Sequence, residues 1–116
     1  MQLESTVQSD VNVIKVAETR IDAASAVRFK DEMRAMTEDG PARVVLDLSN
    51  VAFVDSSGLG AIVASMKQMG DKHRLELASL NHDVAKVFRL TRMDSIFDIH
   101  ADVASALAPP GTRVSA

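Results

Sequence analysis

Residues 43–70 read RVVLDLSNVAFVDSSGLGAIVASMKQMG, and the hydrophobic period changes halfway along them. Val44, Val45, Leu46 and Leu48 form a short apolar, β-branched run with the length of a buried strand. Val51, Phe53 and Val54 carry the chain on to Asp55-Ser56-Ser57-Gly58. Beyond that turn Leu59, Ile62, Val63, Met66 and Met69 fall at helical spacing, with Ser65, Lys67 and Gln68 as polar positions. Gly70 is a natural stop, because glycine takes the left-handed conformation without steric cost. The expectation is strand, tight turn, helix, with residues 43–48 near the sheet centre and residues 59–69 packed on them.

The turn has a physical meaning of its own. The first turn of a helix leaves backbone N–H groups unpaired, and that end carries partial positive charge. Asp and Ser side chains satisfy such donors, and a phosphate is tolerated in the same place. Two readings of Asp55, Ser56 and Ser57 therefore stand side by side: helix capping, or a serine presented for modification.

Before this unit, Leu3–Val7 and Val13–Ala17 read as two strands around a turn at residues 10–12. Asp22 is suited to cap a helix running to about Thr37, with Ala26, Phe29, Met33 and Met36 on one face. Arg28, Lys30, Asp31, Glu32 and Arg34 then form a solvated face. Gly40-Pro41 breaks that helix. After the central unit, residues 74–80 alternate as a strand. Asn81 or Asp83 caps a helix with Val84, Val87, Phe88 and Thr91, and residues 102–107 form a short closing helix.

Asp55-Ser56-Ser57-Gly58-Leu59-Gly60, preceded by Leu46-Asp47-Leu48 and the aromatic Phe53, resembles the core of STAS domains. The nearest resemblance is to bacterial anti-sigma factor antagonists, and it runs from about residue 3 to residue 107. Where that family commonly reads Gly-Glu-Leu-Asp, this chain has Thr19-Arg20-Ile21-Asp22: the Asp is kept and the glycine is lost. Ser95 likewise stands where glycine is usual.

The resemblance, together with strands alternating with helices after a hairpin, implies an α/β STAS-type sandwich. It has a mixed sheet of about four or five strands and about four helices mainly on one face. The expected domain spans residues 1–108, with residues 109–116 as a loose C-terminal tail.

Composition narrows the function. The 116 residues fit one domain, and 47% hydrophobic with 25% charged residues argues for a packed core rather than disorder. Aromatics are 3%, so the core is aliphatic with Met as filler. Few stacking rings and a net charge of −3 argue against a nucleic-acid surface. There is no Cys, hence no disulfide or thiol chemistry. No apolar run approaches the roughly 20 residues of a membrane span, and the N-terminus lacks the parts of a signal peptide, so a cytoplasmic protein with no membrane partner is expected. His73, His82 and His100 lack metal spacing and read as surface or loop histidines. There is no Gly-x-Ser-x-Gly elbow, Walker A motif or Gly-x-Gly-x-x-Gly, so no catalytic residue, metal or cofactor is expected, and an enzyme is not the reading.

What remains is a partner switch. The resemblance implies that the unphosphorylated protein binds an anti-sigma factor that is also a serine kinase, freeing the sigma factor. The kinase then phosphorylates the serine directly after the Asp of the turn, here Ser56, and a serine phosphatase reverses it. Ser57 is the second hydroxyl, read first as a helix cap and second as an alternative phosphorylation site. The expected partner surface is Asp22, Asp55, Ser56, Ser57, Gly58 and Leu59, with Gly58 letting a partner backbone approach. The alternative is a STAS docking subunit of a lipid transporter or of a stress-signalling complex, a docking adaptor that does not require phosphorylation.

Overall fold

The structure, a computed structural model, describes residues 2–109. The tail expected at residues 109–116 therefore lies, from Pro110 onward, outside the described residues. The chain begins with an antiparallel hairpin of β1 (Leu3–Gln8) and β2 (Val11–Val16), in register Leu3 to Val16 and Gln8 to Val11. Its connection is Ser9-Asp10, both at positive φ (51° and 62°). A two-residue loop of that kind matches the right-handed twist of the strands, and Asp tolerates the left-handed region. The turn thus falls earlier than the expected residues 10–12. Asn12 becomes a buried strand residue that donates to the Met36 carbonyl (2.9 Å) and accepts from Ser5 Oγ (2.5 Å), tying the hairpin to the first helix.

A two-residue strand β3 (Arg20–Ile21) precedes α1 (Ala26–Thr37). The helix begins at Ala26, with Ser25 rather than Asp22 at the capping position; residues 22–25 make a turn of their own. The central unit follows as β4 (Arg43–Asp47), β5 (Phe53–Val54) and α2 (Ser56–Met69), which ends on Gly70 at φ 65°. Then come β6 (Arg74–Ala78), α3 (His82–Leu90), β7 (Ile99–His100) and α4 (Val103–Leu107). Sheet order is β1-β2-β4-β6-β7, parallel except for the hairpin, so β4 is the middle strand as expected.

Strand alternation sorts the side chains into two layers. Ile14, Val16, Val44, Leu46, Leu75 and Leu77 face the layer of α1, α2 and α3, where they meet Phe29, Met33, Ile62, Val84 and Phe88. Val11, Val13, Val45 and Ala78 face the other way, against Ala106 and the half-buried Val103 and Leu107 of α4. Three helices therefore cover one face and a five-residue helix part of the other, which is why Val44-Val45-Leu46 is apolar without alternation. Each fully buried Leu, Ile or Phe contributes about 1.5–3 kcal/mol. The buried face of α2 is rotated from the expected one: Gly58, Ala61, Ile62 and Ser65 are buried, while Leu59, Val63, Met66 and Met69 are half-buried at its flanks.

Candidate functional site

The short parallel pair of β3 and β5 builds the corner. Arg20 lies beside Phe53 and Ile21 beside Val54, so the chain leaves both strands at the same end. Asp22 and Asp55 are the next residues, and the turns they open lie side by side. The Asp55 N–H donates to the Ile21 carbonyl (3.3 Å). The Asp55 carboxylate accepts from the Gly58 N–H (2.8 Å), which caps α2, and from the Ala23 N–H (3.2 Å), which fastens the loop before α1. One carboxylate thus holds the starts of two helices together.

Asp22 organises its own turn, accepting from the Ala24 N–H (3.1 Å) and from Ser25 Oγ (3.3 Å). Its other oxygen pairs with Arg20 Nε at 3.2 Å. That bond from Arg20 is the largest influence and holds the Asp22 carboxyl below its ordinary value; desolvation opposes it, and the smaller effects of the Ser25 and Ala24 bonds act with Arg20. The Arg20 guanidinium also lies 4.3 Å from the centroid of the Phe53 ring, which is 41% exposed. The corner is therefore an aromatic surface beside two carboxylates.

Ser56 and Ser57 occupy the first turn of α2, and both are exposed. The cap is Asp55, so the capping role expected of Ser57 belongs to the aspartate two residues before it. Leu59 is half-buried and packed on the main core. Gly58 is buried, and a Cβ there would lie 2.0 Å from the Ile21 carbonyl oxygen. The backbone that approaches Gly58 is the protein's own, which corrects the expectation that its small size serves a partner. What the corner can do chemically is present a hydroxyl at the positive end of a 14-residue helix, where a phosphoryl group is accommodated. Among the described residues no group of three or more His, Cys, Asp or Glu could hold a metal ion.

The sequence reading missed a second polar cluster, on the α4 face. Glu76 is buried on β6 and receives a bidentate pair from Arg43 (2.6 and 2.8 Å). His100 Nε2 lies 2.7 Å from Glu76 Oε1 with its side chain only 11% exposed, so this histidine is not the surface residue expected. Arg43 also donates to the Ala106 carbonyl (2.7 Å), fastening α4, and Arg74 pairs with Asp98 nearby. Burial pushes the Glu76 carboxyl up, but the bonds from Arg43 and His100 outweigh it and hold it below the usual glutamate value. The bond to Glu76 holds the Arg43 guanidinium above its ordinary value. The signal was present in the alternation of residues 74–78, which puts Glu76 opposite Leu75 and Leu77. What the sequence did not show was which segment would cover that face.

The family model described as the STAS domain matches residues 2–106. The anti-sigma-B factor antagonist of Staphylococcus aureus is 22% identical over 101 residues, covering 86% of this chain and 93% of that protein. The crystal structure of an anti-sigma factor antagonist from Mycobacterium paratuberculosis superposes with a TM-score of 0.81 at 24% identity, over 91% of this chain and 90% of that one. The Bacillus cell fate determinant SpoIIAA in its phosphorylated form gives a TM-score of 0.65 at 19% identity, over 91% and 95%. The two structures share the fold. Among the described residues no helix is long and apolar enough to cross a membrane.

Proposed function

Because the chain belongs to the STAS domain family, we propose that it is an anti-sigma factor antagonist switched by phosphorylation at Ser56. In this reading the unmodified corner docks on an anti-sigma factor with serine kinase activity and displaces the sigma factor. Asp22, Asp55, Ser56, Ser57 and Leu59 provide the contact, and Gly58 supports it from beneath. Phe53 and Arg20, not anticipated from sequence, join the surface as its exposed aromatic and its cation.

The observation that carries the reading is the position of Ser56: exposed, on the first turn of α2, directly after the Asp55 cap that joins both loops. A phosphate there adds about −1.5 to −2 charge. The helix end accommodates an anion, so the fold persists. The docking surface does not accommodate it, because the new charge sits beside Asp55 and would be desolvated in the complex. A phosphatase restores the binding form. The test is affinity capture on wild-type and Ser56→Asp baits, with mass spectrometry of the partners and of the phosphorylated site. The reading expects an anti-sigma kinase on the wild-type bait and phosphate on Ser56. Phosphate on Ser57 alone contradicts it.

A further inference from the structure

The five-stranded sheet ends on β1, and among the described residues no strand besides β2 pairs with it. At the opposite rim β7 offers two residues, whereas β1 offers six, of which all but Leu3 are exposed. The hairpin register fixes which backbone groups of β1 are free. The Ala17 N–H donates to the Gln2 carbonyl (2.9 Å), and Gln8 stands opposite Val11 at the turn. Bonded pairs alternate along an antiparallel ladder, so Glu4, Thr6 and Gln8 turn their backbone groups to β2. Leu3, Ser5 and Val7 turn theirs to the open edge. The side chains of these three lie on the helix-covered face with Ile14 and Val16, yet Ser5 is exposed and Val7 is 60% exposed. The helices therefore leave this length of the edge uncovered. Soluble proteins shield such an edge with lysine, proline or a bulge. β1 contains neither residue and runs in unbroken register with β2. Its one charge, Glu4, stands beside Lys15 of β2.

We propose that β1 pairs with β1 of a second copy of this chain, antiparallel about a two-fold axis at Ser5. In that register Leu3 faces Val7 of the partner subunit, Glu4 faces Thr6 of the partner subunit, and Ser5 faces its own copy. The pairs at Leu3, Ser5 and Val7 are of the doubly bonded kind, so the free N–H and C=O groups of the edge are all used. Val7 is covered by an apolar neighbour, and a threonine hydroxyl meets the Glu4 carboxylate. The neighbouring registers are worse. Centring on Glu4 sets two glutamates opposite each other. Centring on Thr6 sets Leu3 against Ser9, which sits in the turn at φ 51° and cannot extend a strand. The edge thus selects a copy of itself, in one register. A single strand pair covers less than the roughly 1,200 Å² of a stable interface, so the dimer is weak, with a Kd on the order of 0.1 mM. It uses no residue of the Ser56 corner, so its test does not involve the anti-sigma partner.

The experiment is amide hydrogen exchange on the full chain, read residue by residue by NMR at low and high concentration, with sedimentation equilibrium for the mass. Expected at ~1 mM chain is about fivefold added protection at Leu3, Ser5 and Val7, whereas Glu4, Thr6 and Gln8 are protected at every concentration by β2. Thr6→Lys puts a cation against the partner's Glu4 and should tighten the dimer about three- to tenfold; Thr6→Glu should weaken it by about the same factor. Val7→Pro removes an edge donor but no bond to β2, and should abolish the dimer with the hairpin intact. Exchange at Leu3, Ser5 and Val7 that does not change with concentration overturns the proposal. So does equal dimerisation of Thr6→Lys and Thr6→Glu, which would put the contact elsewhere.

Discussion

Replacing Gly58 by alanine adds one methyl group at the point where α2 crosses β3. The new Cβ would stand 2.0 Å from the Ile21 carbonyl oxygen and 2.6 Å from its carbon. Real Cβ contacts stay beyond about 3 Å, so helix and strand must separate by about 1 Å. The displaced carbonyl is the acceptor of the Asp55 N–H, already at 3.3 Å, and Ile21 itself is fully buried. Overpacking of this kind costs about 1–3 kcal/mol, and loss of the hydrogen bond adds about 1 kcal/mol. A total near 3 kcal/mol lowers the melting temperature by about 12 °C for a chain of this size. Gly60, two residues on and on the opposite, exposed side of α2, supplies the control. Its Cβ would meet nothing within 4 Å, and Gly60→Ala should raise stability by about 0.5–1 kcal/mol through helix propensity. Thermal unfolding followed by circular dichroism reads both. A Gly58→Ala protein that melts with wild type would show that β3 and α2 do not touch as described, and the shared corner would go with them.

Two other perturbations probe the core and the buried cluster. Ile62→Asp should cost on the order of 4 kcal/mol, because the site is fully buried, whereas Met66→Asp should cost less, its side chain reaching the half-buried flank of α2; equal losses in urea titrations would contradict the face assigned to α2. Glu76→Gln should cost about 2 kcal/mol at neutral pH, below the usual figure for a broken buried pair because the Arg43 side chain is 36% exposed. The Glu76 carboxyl is held below its ordinary value, so its contribution is present above about pH 4.5 and fades as pH falls through the lower folded value. The wild-type melting temperature should therefore drop more steeply than that of Glu76→Gln below about pH 4.5, and parallel profiles would refute the pairing.

How far the sequence reached depended on whether a feature was local. The switch of period at residues 54–59 marks a strand-to-helix turn whatever surrounds it, and β4, α2 and Gly70 appear where their own residues place them. The Asp55 turn was legible for the same reason. Features set by distant chain were not. Asp22 was assigned to α1 as a cap because sequence shows its spacing to Ala26 but not β5 beside it; the pairing of Ile21 with Val54 makes it the start of a separate turn. Gly58 was read as open to a partner because Ile21 lies far away in sequence. Ser65 reads only as a polar position in the sequence, and only packing decides that its strip of α2 is the buried one. His100 looked isolated because its partner Glu76 comes from another strand.

The central claim is that negative charge at Ser56 blocks docking without disturbing the fold. The direct measurement is calorimetric titration of the purified anti-sigma factor, recovered on the wild-type bait, with wild type, Ser56→Ala and Ser56→Asp, each checked for its melting temperature. The account predicts wild-type affinity for Ser56→Ala. It predicts binding weaker by about 30-fold or more for Ser56→Asp, corresponding to about 2 kcal/mol or above for a charge placed in the contact, with melting temperatures within a few degrees of one another. Equal affinity of Ser56→Asp and wild type for the anti-sigma factor would contradict it.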